Sequence, residues 1–231
     1  MTEPNAFTST LSLAVHEFRT PVTVALGYLR MLLNEQQAGP LTERQRKLAQ
    51  EADQACQRIG ALVGDMSDLS KIAARELALE RQEIDVNALL LEVASHMHEG
   101  ADRGVRLEVR ASEHAAMMTG DRARISAALS ALIHAALREL GEPGTVVAQC
   151  FVVRESDTTW AVVAIGREPL LAGLASAHRA PPPFDEFIYG LGLVLPLARR
   201  VIEAHGGAVW SAGGSSRAAV ALRLPLRAQD A

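Results

Sequence analysis

The chain has 231 residues, of which 48% are hydrophobic, 22% charged and only 4% aromatic. This is a globular composition with room for two small domains, and it favours helices packed through alanine and aliphatic side chains. A net charge of −4, with Arg and Glu spread along the chain, provides no basic surface for nucleic acid or acidic lipid.

Cys56 and Cys150 lie far apart and outside any metal-ligand spacing, which excludes a disulfide framework and points to a reduced, cytoplasmic protein. The opening Met-Thr-Glu-Pro-Asn has no basic region before an apolar core, so no signal peptide is expected. The longest apolar stretch, Val22 to Leu33, is broken by Tyr28 and Arg30. It falls short of the roughly 20 residues a membrane helix needs, so no membrane partner is expected.

In chain order, the first 75 residues carry a helical-hairpin pattern. Leu11, Val15, Phe18, Val22, Leu26, Leu29 and Leu33 recur at steps of four and three. Leu48, Ala52, Ala55, Ile59, Leu62, Met66, Leu69 and Ala73 alternate four and three throughout. Each run draws an apolar stripe along one side of a helix. Ala38-Gly39-Pro40-Leu41-Thr42 is the turn between them, with Thr42 as N-cap of the second helix. Two helices cannot bury such stripes alone; pairing two hairpins into a four-helix bundle can, so a homodimer is expected.

Beyond residue 75 the pattern changes. Leu77 to Arg81 reads as a short strand, Asp85 starts a helix through His98, and Val105, Leu107 and Val109 alternate as a half-buried strand. Ala115 to Thr119 is a candidate strand, and Asp121 to Leu140 an Ala-rich amphipathic helix. Thr145–Val153 and Thr159–Ile165 pair as a hairpin around Glu155-Ser156-Asp157. Gly166 to Pro183 reads as irregular. Leu191 to Ala204 is a helix stopped by Gly206-Gly207, and strands follow near Ala208–Ser211 and Ala218–Leu224. The order implies an α/β sandwich, one mixed sheet with helices on one face, within an α+β chain overall. Domain limits of 1–75 and 76–231 follow.

The chemistry centres on Val15-His16-Glu17-Phe18-Arg19-Thr20-Pro21. A neutral imidazole is a good nucleophile towards phosphorus near pH 7, and phosphoryl transfer asks chiefly for positioning. His16 follows the core position Val15, hence lies on the helix flank. Glu17 can accept the Nδ1 proton and leave Nε2 free. Thr20 lies one turn away on the same face, where its hydroxyl can hold a water. Pro21 removes a backbone N–H and allows a bend.

These seven residues, with the apolar run after them, resemble the H-box of sensor histidine kinases. In that family the dimerising hairpin is followed by an ATP-binding α/β domain, and the resemblance covers nearly the whole chain. Gly190-Leu191-Gly192-Leu193, then Ala198-Arg199-Arg200-Val201-Ile202-Glu203-Ala204-His205-Gly206-Gly207, resembles the family's second glycine box and its helix. Phe184 and Phe187 resemble the aromatic box before it. Gly190 and Gly192 are thus the remnant of a nucleotide box.

Two departures separate the chain from an active kinase. The helix from Asp121 matches the family's asparagine box, yet Ala131 and Ala135 stand at its asparagine positions, and alanine offers a hard cation no oxygen. His134 beside them reads as structural. After the strand Trp160 to Ile165, the Asp-x-Gly-x-Gly that reads adenine is replaced by Gly166-Arg167-Glu168-Pro169-Leu170-Leu171. Neither Asp157 nor Asp185 stands close enough to substitute.

No ATP or Mg²⁺ cofactor is therefore expected, and no metal site: His96 and His98 do not share a helix face, and His205 caps its helix. Met117 and Met118 read as core. The leading function is a two-component phosphorelay protein in which His16, with Glu17 and Thr20, exchanges a phosphoryl group with response-regulator aspartates, as phosphotransferase or phosphatase. The alternatives are an ATP-dependent histidine kinase with an atypical nucleotide site, and a non-catalytic pseudokinase scaffold. Leu26, Arg30, Gln57 and Asp65 lie on the surface expected to choose the regulator.

Overall fold

The computed structural model describes residues 3–74, 76–97, 101–155, 158–187, 191–212 and 219–227. It divides into two compact units, Met1–Leu77 and Ala78–Ala231.

The first unit is a helical hairpin of α1 (Glu3–Leu33), a short α2 (Glu35–Ala38) and α3 (Glu43–Ala73). Its tip is held by side chains that satisfy free helix ends. Asn34 accepts the N–H of Gln36, and Gly39 turns the chain at φ +79°. Thr42 and Gln45 form a reciprocal capping box, as the Thr42 expectation requires. Arg46 pairs with Glu35.

The buried positions of α3 are Ala49, Val63 and Ser70, with Cys56 half-buried between them, a seven-residue repeat of small side chains. Gly60 belongs to this face, since a Cβ there would lie 3.7 Å from Val22 of α1. The stripe expected from the sequence lies to one side of this seam. Leu48 is 58% exposed, and Ile59 and Leu62 are 45% exposed. Periodicity found an apolar face, but small residues let α1 approach on the adjacent one.

The second unit holds a five-stranded sheet in the order β2-β4-β5-β7-β6 and a two-stranded sheet, β1-β3. The strands are β1 (Arg81–Asp85), β2 (Val105–Arg110), β3 (Met117–Asp121), β4 (Gly144–Glu155), β5 (Thr158–Gly166), β6 (Ala208–Ser211) and β7 (Val220–Pro225). Among the described residues, only the β2–β4 pair is parallel. The helices are α4 (Val86–Ser95), α5 (Arg122–Glu139), α6 (Glu168–Ser176) and α7 (Val194–Ala204).

Asp85 and Asp121 end strands and cap helices at once, accepting the N–H groups of Asn87 and Arg124. The first and third strand expectations slip by a few residues, while β2 falls within the stretch expected of it. β1 begins at Arg81, where the chain can pair with β3 and set buried Ile84 opposite buried Met118. Leu77 and Leu79 alternate, but the ladder starts after them. β3 correspondingly runs to Asp121, and pleating turns Met118 inward while Met117 is 36% exposed. α4 ends at Ser95 with His96 as its cap; His98 lies outside the described residues. α7 begins at Val194, after a turn.

The largest difference lies between Gly166 and Pro183. In place of irregular chain there is α6, then a 3₁₀ turn, Ala177–Arg179. Pro169 is tolerated in the first helical turn, and Leu170, Leu171 and Leu174 supply an apolar face.

This helix adds a third layer. Cross-strand partners share a face, so Val162, Ala164, Ala221 and Trp210 lie on one side of the sheet with Val147. These residues form one buried cluster with Leu171, Leu174 and Ala175 of α6. The alternate residues Ala148, Val163, Ile165, Val220 and Leu222 are equally buried and face the other way, towards the layer containing α5. β5 is therefore apolar on both faces, which is why its sequence is a continuous run and not an alternation. At the end of α7, Gly206 takes φ +78°, and a Cβ on Gly207 would come within 2.1 Å of the Arg223 carbonyl oxygen. Only glycine lets β6 start there.

Candidate phosphoacceptor site

The register of α1 decides what His16 can do. Val15 is 4% exposed, and the next residue is rotated by about 100° around the helix. His16 therefore stands free, its side chain 77% exposed and that of Glu17 73%. The imidazole Nδ1 lies 3.6 Å from Glu17 Oε1, an electrostatic contact just longer than a hydrogen bond. Thr20 is exposed one turn further on. Pro21 sits inside an uninterrupted α1, two residues before Thr23, whose hydroxyl donates to the Arg19 carbonyl at 2.8 Å.

Sequence reasoning missed the surroundings of this triplet. Leu13, Val24 and Met31 are 63%, 50% and 53% exposed. With Thr20 they are spaced 7, 4 and 7, which places all four on the side of α1 opposite Val15, flanked by His16, Glu17 and exposed Tyr28. The signal was present as a second apolar stripe, hidden by the regularity of the first. Of the residues expected to choose a regulator, Arg30 and Gln57 are exposed and Leu26 and Asp65 half-buried. Gln57 is held by Asp53 at 2.6 Å. Burial, and then the neighbouring Asp68, raise the Asp65 carboxyl above its ordinary range.

Among the described residues, the second unit departs from a nucleotide site at the positions where its ligands were sought. Ala131 and Ala135 are buried in α5 and carry no oxygen or nitrogen on their side chains. β5 ends at Gly166 and α6 begins at Glu168, so a single residue separates strand from helix where a glycine-rich loop was sought. Glu168 is engaged by Arg110 at 2.6 Å, and Asp185 accepts the Phe187 N–H. Asp157 and Gly190 lie outside the described residues; Gly192 is exposed at φ +61°. Phe184 is buried and Phe187 71% exposed. Among the described residues no group of three or more His, Cys, Asp and Glu could hold a metal.

His205 does more than end its helix. Its Nδ1 donates to the Val201 carbonyl at 2.7 Å, and its Nε2 accepts the Asp121 N–H at 3.0 Å. No helix among the described residues is long and apolar enough to cross a membrane.

A helical hairpin with an exposed histidine, followed by a mixed sheet layered with helices, defines the class of two-component signalling proteins built like histidine kinases. The family model of the His Kinase A (phospho-acceptor) domain matches residues 8–75. The chain is 30% identical over 203 residues to the sensor protein DivL of Caulobacter vibrioides, covering 83% of this chain and 24% of DivL. It is 28% identical over 214 residues to the circadian input-output histidine kinase CikA of Synechococcus elongatus, covering 87% of this chain and 27% of CikA.

Among solved structures, ShkA in complex with AMPPNP shares the fold at TM-score 0.71 and 24% identity, over 96% of this chain and 47% of ShkA. The Acinetobacter baumannii histidine kinase AdeS does so at TM-score 0.57 and 20% identity, over 92% of this chain and 98% of AdeS. The chain belongs to the sensor histidine kinase family. It spans about a quarter of the length of the curated relatives DivL and CikA.

Proposed function

We propose that His16 carries a phosphoryl group exchanged with the aspartate of response-regulator receiver domains, and that the chain does this without ATP, as a homodimer. The observation that carries the reading is the placement of His16, Glu17 and Thr20, all exposed, beside the apolar strip of Leu13, Val24 and Met31. A reactive nitrogen bordered by unpartnered apolar surface is the arrangement a docking protein requires.

In the transfer, neutral His16 attacks the phosphorus of an aspartyl phosphate through Nε2. The phosphorus–oxygen bond to the aspartate breaks, and the carboxylate leaves as an anion. The ring then bears the phosphoryl group on Nε2 and a proton on Nδ1, and the Glu17 carboxylate 3.6 Å away offsets its positive charge. The reverse step delivers the group to another receiver. A phosphatase branch uses the same face: a water held by the Thr20 hydroxyl attacks the aspartyl phosphate directly and releases inorganic phosphate.

Support for the homodimer comes from the exposed Leu48, Ile59 and Leu62 of α3 with Phe18 of α1. Each is about half exposed, so burying the remainder against a second copy is worth about 1 kcal/mol apiece.

The test follows label on His16 after incubation with ATP and Mg²⁺, and separately with a phosphorylated receiver. Label from the receiver alone, abolished by His16→Ala, is the expected result. Label from ATP alone would replace this reading with an ATP-dependent kinase. Loss of the receiver's label without His16 labelling, abolished by Thr20→Ala, selects the phosphatase branch. No transfer in either arm, with the receiver still bound, leaves a scaffold.

A further inference from the structure

We infer that the second unit is closed to nucleotide by the course of its backbone, and not merely by the side chains it has lost. The inference deepens the ATP-independent part of the proposed function and rests on the correspondence of the end of β5 with the family's first glycine box. Groups that hold one ligand must reach it from the same side. Positions 131 and 135 lie on α5, so a loop after β5 that shared a nucleotide with them would have to stay on the α5 side of the sheet.

The chain does the opposite. β5 ends at Gly166, Arg167 alone intervenes, and α6 starts at Glu168. The helix then lies on the other face, with Leu171, Leu174 and Ala175 among Val147, Val162, Ala164, Ala221 and Trp210.

That course is fastened along its length. At the start, Glu168 pairs with Arg110 and Arg167 with Glu142. In the middle, the buried Trp210 indole donates from Nε1 to the Leu174 carbonyl at 3.0 Å. At the end, Arg179 pairs with Glu155 at 2.7 Å, buried His178 lies 3.3 Å from the same carboxylate, and Arg223 donates to the His178 carbonyl while stacking 4.4 Å above Trp160. Lifting α6 would strip an indole of its acceptor and expose a dry apolar face. The segment is a fixed wall of the fold where nucleotide recognition would need a loop.

The experiment measures binding of a fluorescent ATP analogue with Mg²⁺ to the full chain and to two variants. The first, Ala131→Asn/Ala135→Asn/Gly166→Asp, puts back the family's residue types at these positions while leaving α6, and the α6-facing pleat of position 166, in place. The second adds Glu168→Gly and Leu170→Gly, restoring Asp-x-Gly-x-Gly and breaking the start of α6. Wild type and the first variant should show no saturable binding up to millimolar analogue. Micromolar binding by the first variant would overturn the inference, because side chains alone would then have closed the site. Should that variant fail to fold, the wild type decides by hydrogen exchange. Slow exchange at Leu171 to Ala175, unchanged by ATP and Mg²⁺, is expected; rapid exchange that the nucleotide suppresses would overturn the inference. Saturable binding by wild type would sink both this inference and the ATP-independent clause, while label transfer from a phosphorylated receiver to His16 would still report separately on the relay.

Discussion

His205 Nε2 accepts the backbone N–H of Asp121 at 3.0 Å, joining the end of α7 to the strand–helix junction that starts α5. Since Nδ1 of the same ring donates to the Val201 carbonyl, the ring's hydrogen bonding is complete and its tautomer assigned. His205→Ala leaves a buried N–H without an acceptor. It should cost about 1–3 kcal/mol, read as a lower urea midpoint with an unchanged slope. An unchanged midpoint would show that the bond is dispensable.

The exposed stripe of α3 makes a prediction about assembly. Ile59→Arg/Leu62→Arg should convert the proposed dimer to monomer in sedimentation, because neither side chain is needed inside the hairpin. The helical content should hold, since the seam of Ala49, Cys56 and Val63 is untouched. A variant that stays dimeric would move the interface elsewhere.

Asp65 predicts a pH dependence. Its carboxyl is raised chiefly by burial and further by Asp68, so the folded hairpin holds this proton more tightly than the unfolded chain does. A group raised in the folded state contributes stability below its unfolded value and loses it as pH rises through the folded one. Asp65→Asn should therefore be more stable than wild type near neutrality. The difference should vanish below the ordinary aspartate range, which paired urea titrations would show. A neutral variant that melts earlier at pH 7 would reverse the sign.

Cys150 is buried in β4, and burial, with a smaller contribution from Asp85, pushes its thiol up to about 12. The thiolate is the reactive form, so native protein at pH 8 should resist iodoacetamide at this position and react once unfolded. Peptide mapping of alkylated native and denatured protein distinguishes the two. Rapid native modification of Cys150 would indicate that β4 opens.

Much of the molecule was legible as sequence because local rules control it. The four–three periodicity located both long helices, Thr42 announced a helix start, and Asp85 and Asp121 capped the helices expected of them. The exposure of His16 followed from one step around α1 beyond Val15. Strand limits were read less well, because β1 and β3 are defined by Ile84 meeting Met118, a contact no window of residues contains.

The amino-acid sequence by itself determined the hairpin, the free histidine with Glu17 and Thr20 beside it, and the alanines at positions 131 and 135. Those depend on residue identity and helical rotation, which are local. Only the tertiary structure decided that α3 packs on its small-residue face and leaves Ile59 and Leu62 outside, and that the stretch after Gly166 is a helix on the far side of the sheet. Both outcomes turn on which surface a partner element can approach most closely, and that is settled between elements distant in the chain.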